Sequence, residues 1–161
     1  MLKQTSIAIT VLAVSWWAMT ACHELGHILG AYATGGAVQH VELRPWHFSR
    51  TDVDPNPLPG IVVWSGPIVG IALPLLVWLL RRKMKLTRFF AGFCLIANGC
   101  YIGAGWAICA GDTYVMHLTG TPNWLMAAFG VICLALGLCL WHGLGPRLGL
   151  HLGSASQPGV S

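Results

Sequence analysis

Residues Gln4–Tyr32 read QTSIAITVLAVSWWAMTACHELGHILGAY, an apolar run with one strongly polar interruption, His23-Glu24-Leu25-Gly26-His27. The run is long enough to cross a bilayer, which takes about 20 apolar residues in a helix. A helix puts positions i and i+4 on one face, so the His23 and His27 imidazoles can reach a single metal ion. Glu24 stands beside them, placed to take a proton from a water held there. The plain alternative is two packing histidines and a stray glutamate. An ionisable group at bilayer depth costs about 2.5–3.5 kcal/mol even on the mild insertion scale, which favours the functional reading. The chain holds 7 His and 2 Glu. Chance assembly of the motif comes to roughly four in a thousand.

Composition agrees with a membrane setting. Charged residues are 9% of the chain and hydrophobic residues 55%, against about 25% charged in a soluble domain. Mean hydropathy is +0.66. The net charge of +4 comes mainly from one cluster. It therefore speaks to orientation in the bilayer, and nucleic acid is not an expected partner. The six cysteines, Cys22, Cys94, Cys100, Cys109, Cys133 and Cys139, lie in apolar stretches with no Cys-x-x-Cys pair. They read as small buried hydrophobes rather than disulfides or thiolate ligands.

Four charge-poor stretches of spanning length are expected at about 4–32, 60–80, 89–111 and 122–144. The fold class is thus an all-α polytopic membrane protein of about four transmembrane helices, a single domain over 1–144. The Gly- and Ser-containing tail at 145–161 is expected to be disordered. Between the first two spans, Gly35-Gly36 forms a helix stop. Ala37–Leu43 is β-like, one arm of a short hairpin within the 35–59 loop, and Asp54–Pro59 is turn-rich.

Arg81, Arg82, Lys83, Lys85 and Arg88 are five of the nine basic residues. The positive-inside rule places this 81–88 loop in the cytoplasm together with both termini, although Arg44 and Arg50 weigh slightly the other way. The expected location is a bacterial inner membrane. A competing reading takes Lys3, the apolar run and Met19-Thr20-Ala21-Cys22 as a lipoprotein-like signal. Cleavage before Cys22 would strip the motif-bearing helix of its first half, and three further spans favour a polytopic chain.

A catalytic zinc usually has three protein ligands and an open position. The metzincin extension fails, because Gly30 fits but Ala33 stands where a third histidine belongs. Gly26 and Gly30 make a small-residue packing face instead. Glu42 lies in the β-like stretch, not on a following helix as a second Glu ligand of a zinc protease would, and His40, His47, Asp52 and Asp54 are in the loop and could reach but have nothing to position them. Asp112 is the better candidate. The motif lies about 20 residues into the first span and Asp112 follows about 23 residues of the third, which runs the same way, so at 1.5 Å per residue their depths agree to roughly a turn. The alternative role for Asp112 is a cap on the next segment, and His117 is a reserve ligand.

Ser65-Gly66-Pro67 opens the second span at that level. It is either a packing kink or exposed backbone that can hold substrate. Asn98, inside the third span, either bonds a neighbouring helix or lines a water-filled cavity beside the substrate. Trp16, Trp17, Trp46, Trp64 and Trp124 fit an interfacial belt.

Together these residues resemble the site-2 protease family of intramembrane zinc metallopeptidases. The resemblance rests on HELGH in a first core span, Gly66-Pro67 in a second and Gly111-Asp112 at a third, and covers about Ala13 to Val115. It implies a three-helix metalloprotease core with Zn2+ on His23, His27 and Asp112, and Glu24 as general base. It also implies a membrane-protein substrate cut in or next to its spanning segment. Gly36–Leu43 looks like the family's hairpin, which can offer an edge strand to an unwound substrate. The chain departs from the family pattern at Gly70, where an Asn is usual, and at Ile108-Cys109-Ala110-Gly111-Asp112, where Asn and Pro are common. Three rivals stand beside this reading: a membrane zinc hydrolase acting on a lipid amide, a non-catalytic relative that binds membrane helices, and, more weakly, a transporter. For the last, the internal repeats and broken helices in matched halves that such folds often show are not evident.

Overall fold

A computed structural model describes residues 2–44, 46 and 49–144, with side chains from Thr5 onward. The tail at 145–161 and His47 lie outside the described residues. The element order is α1 (Leu2–Ala33), β1 (Val38–Glu42), β2 (Arg50–Val53), α2 (Pro59–Leu80), α3 (Lys85–Ile108), α4 (Asp112–Leu118) and α5 (Asn123–Trp141). Within these, Thr5–Ala33, Pro59–Leu80, Lys85–Ile108 and Asn123–Trp141 are long and apolar enough to cross a membrane. Among the described residues the protein is mostly helical, with four candidate spans and one small antiparallel sheet. Its exposed apolar side chains include Ile7, Ile9, Leu12 and Val14 on the first half of α1 and Val131 on α5. Lipid solvates such a surface at no hydrophobic cost.

α1 stops where its glycines allow. Gly35 takes a φ of 77°, and the Gly36 N–H donates to the Ala31 carbonyl at 2.8 Å. This satisfies a carbonyl that the helix end would leave bare. The chain then turns into the hairpin, where β1 pairs antiparallel with β2 from Val38↔Val53 to Glu42↔Arg50, with an irregularity between Val38 and His40.

The third span differs from expectation at its end. It stops at Ile108 rather than Gly111, because Cys109 adopts a left-handed conformation with φ 51° and donates its N–H to the Gly105 carbonyl. Gly111, at φ 58°, then turns the chain into α4. The 112–122 segment between the third and fourth spans therefore begins with a short helix whose first residue is Asp112.

Two seams hold the bundle. α3 and α5 meet with glycine on both sides: a Cβ on Gly103 would lie 2.8 Å from the Gly130 Cα. α1 and α2 meet at Gly26, whose Cβ would lie 2.3 Å from the Ser65 carbonyl oxygen. Small residues at such contacts let backbones approach and gain dispersion energy, the main attraction left to helices in lipid. A core of Val63, Ile102, Met116 and Met126 joins α2, α3, α4 and α5.

Candidate metal centre

Among the described residues, the buried polar or charged side chains are Ser15, His23, Glu24, His27, Asn98 and Thr113. All but Ser15 surround one place, where α1, α2, α3 and the start of α4 converge. Buried polar groups are expensive unless partnered, so their concentration marks where the chain spends stability on chemistry.

The two imidazoles leave α1 one turn apart, with ring centroids 4.8 Å from each other. Each is held from behind through Nδ1. His23 Nδ1 donates to Asn98 Oδ1 at 2.7 Å, and His27 Nδ1 donates to the Val62 carbonyl at 2.8 Å. The Asn98 amide cannot easily be reversed, because its Nδ2 donates to the Cys94 carbonyl at 2.9 Å. With Nδ1 carrying the proton, each Nε2 presents a lone pair. Both Nε2 atoms face the same oxygen, Asp112 Oδ2, at 2.7 Å from His23 and 3.4 Å from His27.

Three acceptors therefore converge. Two imidazole lone pairs and a carboxylate oxygen repel one another unless a positive centre lies among them. Were the rings protonated instead, burial would work against ionisation of Asp112, but their hydrogen bonds and charge would outweigh it and hold its carboxyl well below the ordinary range, so the carboxylate is ionised in either state. An ionised carboxylate with two oriented imidazoles, each fixed by an outer oxygen, is a donor set that suits a divalent transition-metal ion.

Glu24 is the second carboxylate. It is 2% exposed, and its ligand atom lies within 4.8 Å of those of both histidines. By proximity alone it too could bind an ion. Its Oε2 is occupied by the Thr51 hydroxyl, which donates from β2 at 2.7 Å, whereas Asp112 Oδ2 faces both Nε2 atoms directly. The geometry thus favours Asp112 as the ligand and leaves Glu24 beside it.

Asp112 reaches this point because of the turn before it. Its backbone N–H donates to the Tyr101 hydroxyl at 3.0 Å. The Thr113 hydroxyl closes the same turn by donating to the Ala110 carbonyl at 2.8 Å.

Ser65, Gly66 and Pro67 sit behind the histidines. A Cβ on Gly66 would lie 2.3 Å from His27 Cε1 and 2.9 Å from His23 Nε2. The Ser65 hydroxyl donates at 2.6 Å to the Val62 carbonyl, the same oxygen that fixes His27. These residues line neither of the two cavities at the site. Their place is the wall against which the rings rest. Asn98 takes the helix-bonding role and also lines the smaller cavity. It occupies the space that Gly70 leaves, since a Cβ there would lie 3.2 Å from Asn98 Oδ1.

The other candidates do not join the cluster. Glu42 is paired with Arg44, Asp52 with Arg50 at 3.3 Å, and His40 faces Asp52 across the hairpin. Asp54 and His117 line neither cavity. Two participants escaped the sequence: Thr51 and Tyr101. Tyr101 carried a faint signal, being a polar-tipped residue three positions after Asn98 in an apolar span. Thr51 carried none.

Two cavities flank the cluster. The larger, about 360 Å³, lies between β2, the start of α2 and α4 and reaches His27 and Asp112. The smaller, about 110 Å³, lies between α1 and α3 and reaches His23, Glu24 and Asn98. Compared with known protein families, with curated proteins and with solved structures, the chain finds no match in any of the three.

Proposed function

We propose that this chain is an intramembrane zinc metalloprotease of the site-2 protease type, hydrolysing peptide bonds in or near membrane-spanning segments of other proteins. One observation carries the reading: two Nδ1-anchored imidazoles at membrane depth aim their Nε2 atoms at one Asp112 oxygen. His23, His27 and Asp112 would hold the ion, and a zinc ion so held supplies Lewis acidity that polarises a carbonyl and acidifies water.

Glu24 is placed to accept the proton of the attacking water and to return it to the leaving amine. Thr51 orients that carboxylate from outside. β2 lines the larger cavity and has β1 as its only strand partner among the described residues. Its second edge is thus available to an extended peptide, which would pass the ion-binding groups with its backbone hydrogen-bonded. The cavities on either side leave room for the residues flanking the cut and for the entering water.

The decisive test uses purified protein in bilayer mimics, assayed for zinc content and for cleavage of a membrane-segment substrate. One zinc per chain is expected, lost on chelation together with cleavage and restored by adding zinc. Glu24→Gln is expected to keep the metal and lose cleavage. A Glu24→Gln variant that cuts at the parental rate sinks the proposed base. Cleavage of lipid amides with inert peptides would favour the lipid hydrolase, and a cellular role that survives Glu24→Gln would favour the non-catalytic relative.

A further inference from the structure

We infer that Tyr101 is a catalytic residue whose hydroxyl donates a hydrogen bond to the carbonyl oxygen of the bond being cut. The inference rests on the protease reading and adds a group to it. Tyr101 sits on α3, one turn beyond Asn98. It lines both cavities, a property it shares with Ser49 and Asp112. Its ring meets the His23 ring edge-on, with centroids 6.0 Å apart. The phenol is therefore at the boundary where a peptide passing from one cavity to the other must cross the ion-binding groups.

The hydroxyl's bonding decides which way it acts. A phenol has one proton to donate and also accepts. Its oxygen already accepts the Asp112 N–H at 3.0 Å, and its own proton meets no acceptor among the described residues. The site makes room for it: a Cβ on Gly111 would lie 2.5 Å from that oxygen. The backbone N–H of Asp112 thus anchors and polarises a donor whose proton is left for a ligand.

When water adds to the scissile carbonyl carbon, the π pair moves onto the carbonyl oxygen. Tyr101 would hydrogen-bond that oxygen while keeping its own proton. The pair returns to carbon as the amine leaves with the proton that Glu24 carries. A donor fixed before the charge develops costs no reorganisation at that moment, which is the source of its effect.

The test compares the full-length parent, Tyr101→Phe and Glu24→Gln, each loaded with zinc. Tyr101→Phe also removes the acceptor of the Asp112 N–H, so some loss of zinc affinity is expected and kcat is read per bound zinc: it should fall by about 10²–10³ with KM essentially unchanged, the loss seen when one oxyanion donor is removed. A second readout needs no turnover: binding of a membrane-segment peptide bearing a phosphinate in place of the scissile amide, expected to weaken by a similar factor. If the parent cleaves and Tyr101→Phe cleaves equally fast, the donor role is wrong and the protease reading survives. If the Phe variant instead loses zinc while kcat per bound zinc is unchanged, Tyr101 only anchors Asp112 and the inference falls. If the parent is inactive the protease reading fails, and equal phosphinate binding by both chains then overturns the donor role as well.

Discussion

The α3–α5 seam and the α1–α2 seam use one packing device for two purposes. In both, glycine removes the Cβ that would keep backbones apart: Gly103 meets Gly130, and Gly26 meets Ser65 and Gly66. In the middle of the first seam the side chains met are apolar, Cys133 and Ile96. At the second, the space won by close approach is filled by two imidazoles, one resting on Asn98 and the other on the Val62 carbonyl. Dispersion along its length, with Arg88 and Trp141 donating to the Leu140 and Phe89 carbonyls at one end, explains the first seam. It cannot explain the second, because buried polar groups in lipid cost stability that apolar side chains of the same size would not. Close approach stabilises a bundle; close approach around oriented lone pairs would also make the place for a cation that the proposed function requires.

The largest predicted effect separates the seams. Gly66→Ala puts a methyl where His27 Cε1 and Nε2 now lie. It is expected to reduce bound zinc from one per chain to less than about a tenth and to abolish cleavage, because outer contacts of this kind govern ligand geometry. Helix content by circular dichroism should stay parental.

Asn98→Leu sharpens the argument by removing only the acceptor behind His23. Zinc affinity is expected to fall about 10–100-fold, read by competition with a chromophoric chelator. Asn98→Asp keeps an acceptor at that position and should retain most of the affinity. Equal loss in both variants would show that packing, rather than the hydrogen bond, matters there.

Gly103→Ala is the matching change at the other seam, where the new methyl would meet the Gly130 Cα. A stability loss of about 1–3 kcal/mol is expected from overpacking, seen as a lower midpoint on heating or in denaturant. Zinc per folded chain should not change. A loss of zinc here as large as in Gly66→Ala would break the distinction between the seams.

The smallest effect lies at the hairpin. Thr51→Val removes the hydroxyl that bonds Glu24, a contact worth about 0.5–1.5 kcal/mol. A fall in kcat of about 2–10-fold at unchanged zinc content is expected, measured against the same substrate.

The span count and the pairing of His23 with His27 were legible in the chain because both depend on local or additive physics. Transfer free energy sums along a segment whatever its neighbours do, and helical periodicity alone puts i and i+4 on one side. Asp112 was reachable by the same means, since depth along a helix is a matter of counting residues. The turn that delivers it was not. The left-handed Cys109, the break after Ile108 and the new helix at Asp112 depend on Tyr101 and Thr113 receiving and closing that turn. Ser65, Gly66 and Pro67 were read as a kink or a substrate support, and the structure puts them behind the rings. Which face of α2 turns toward α1 is decided by packing.

By itself, then, the sequence determined a helical four-span membrane chain, a histidine pair with a glutamate beside it, and an aspartate at matching depth, because hydropathy and periodicity act within single segments. Only the tertiary structure decided that Asn98 and Val62 fix the ring tautomers, that Thr51 reaches Glu24 from a strand, and that Tyr101 stands between two cavities with a proton that meets no acceptor among the described residues. Those outcomes depend on contacts between residues far apart in the chain, whose formation rests on shape and hydrogen-bond geometry that no single segment contains.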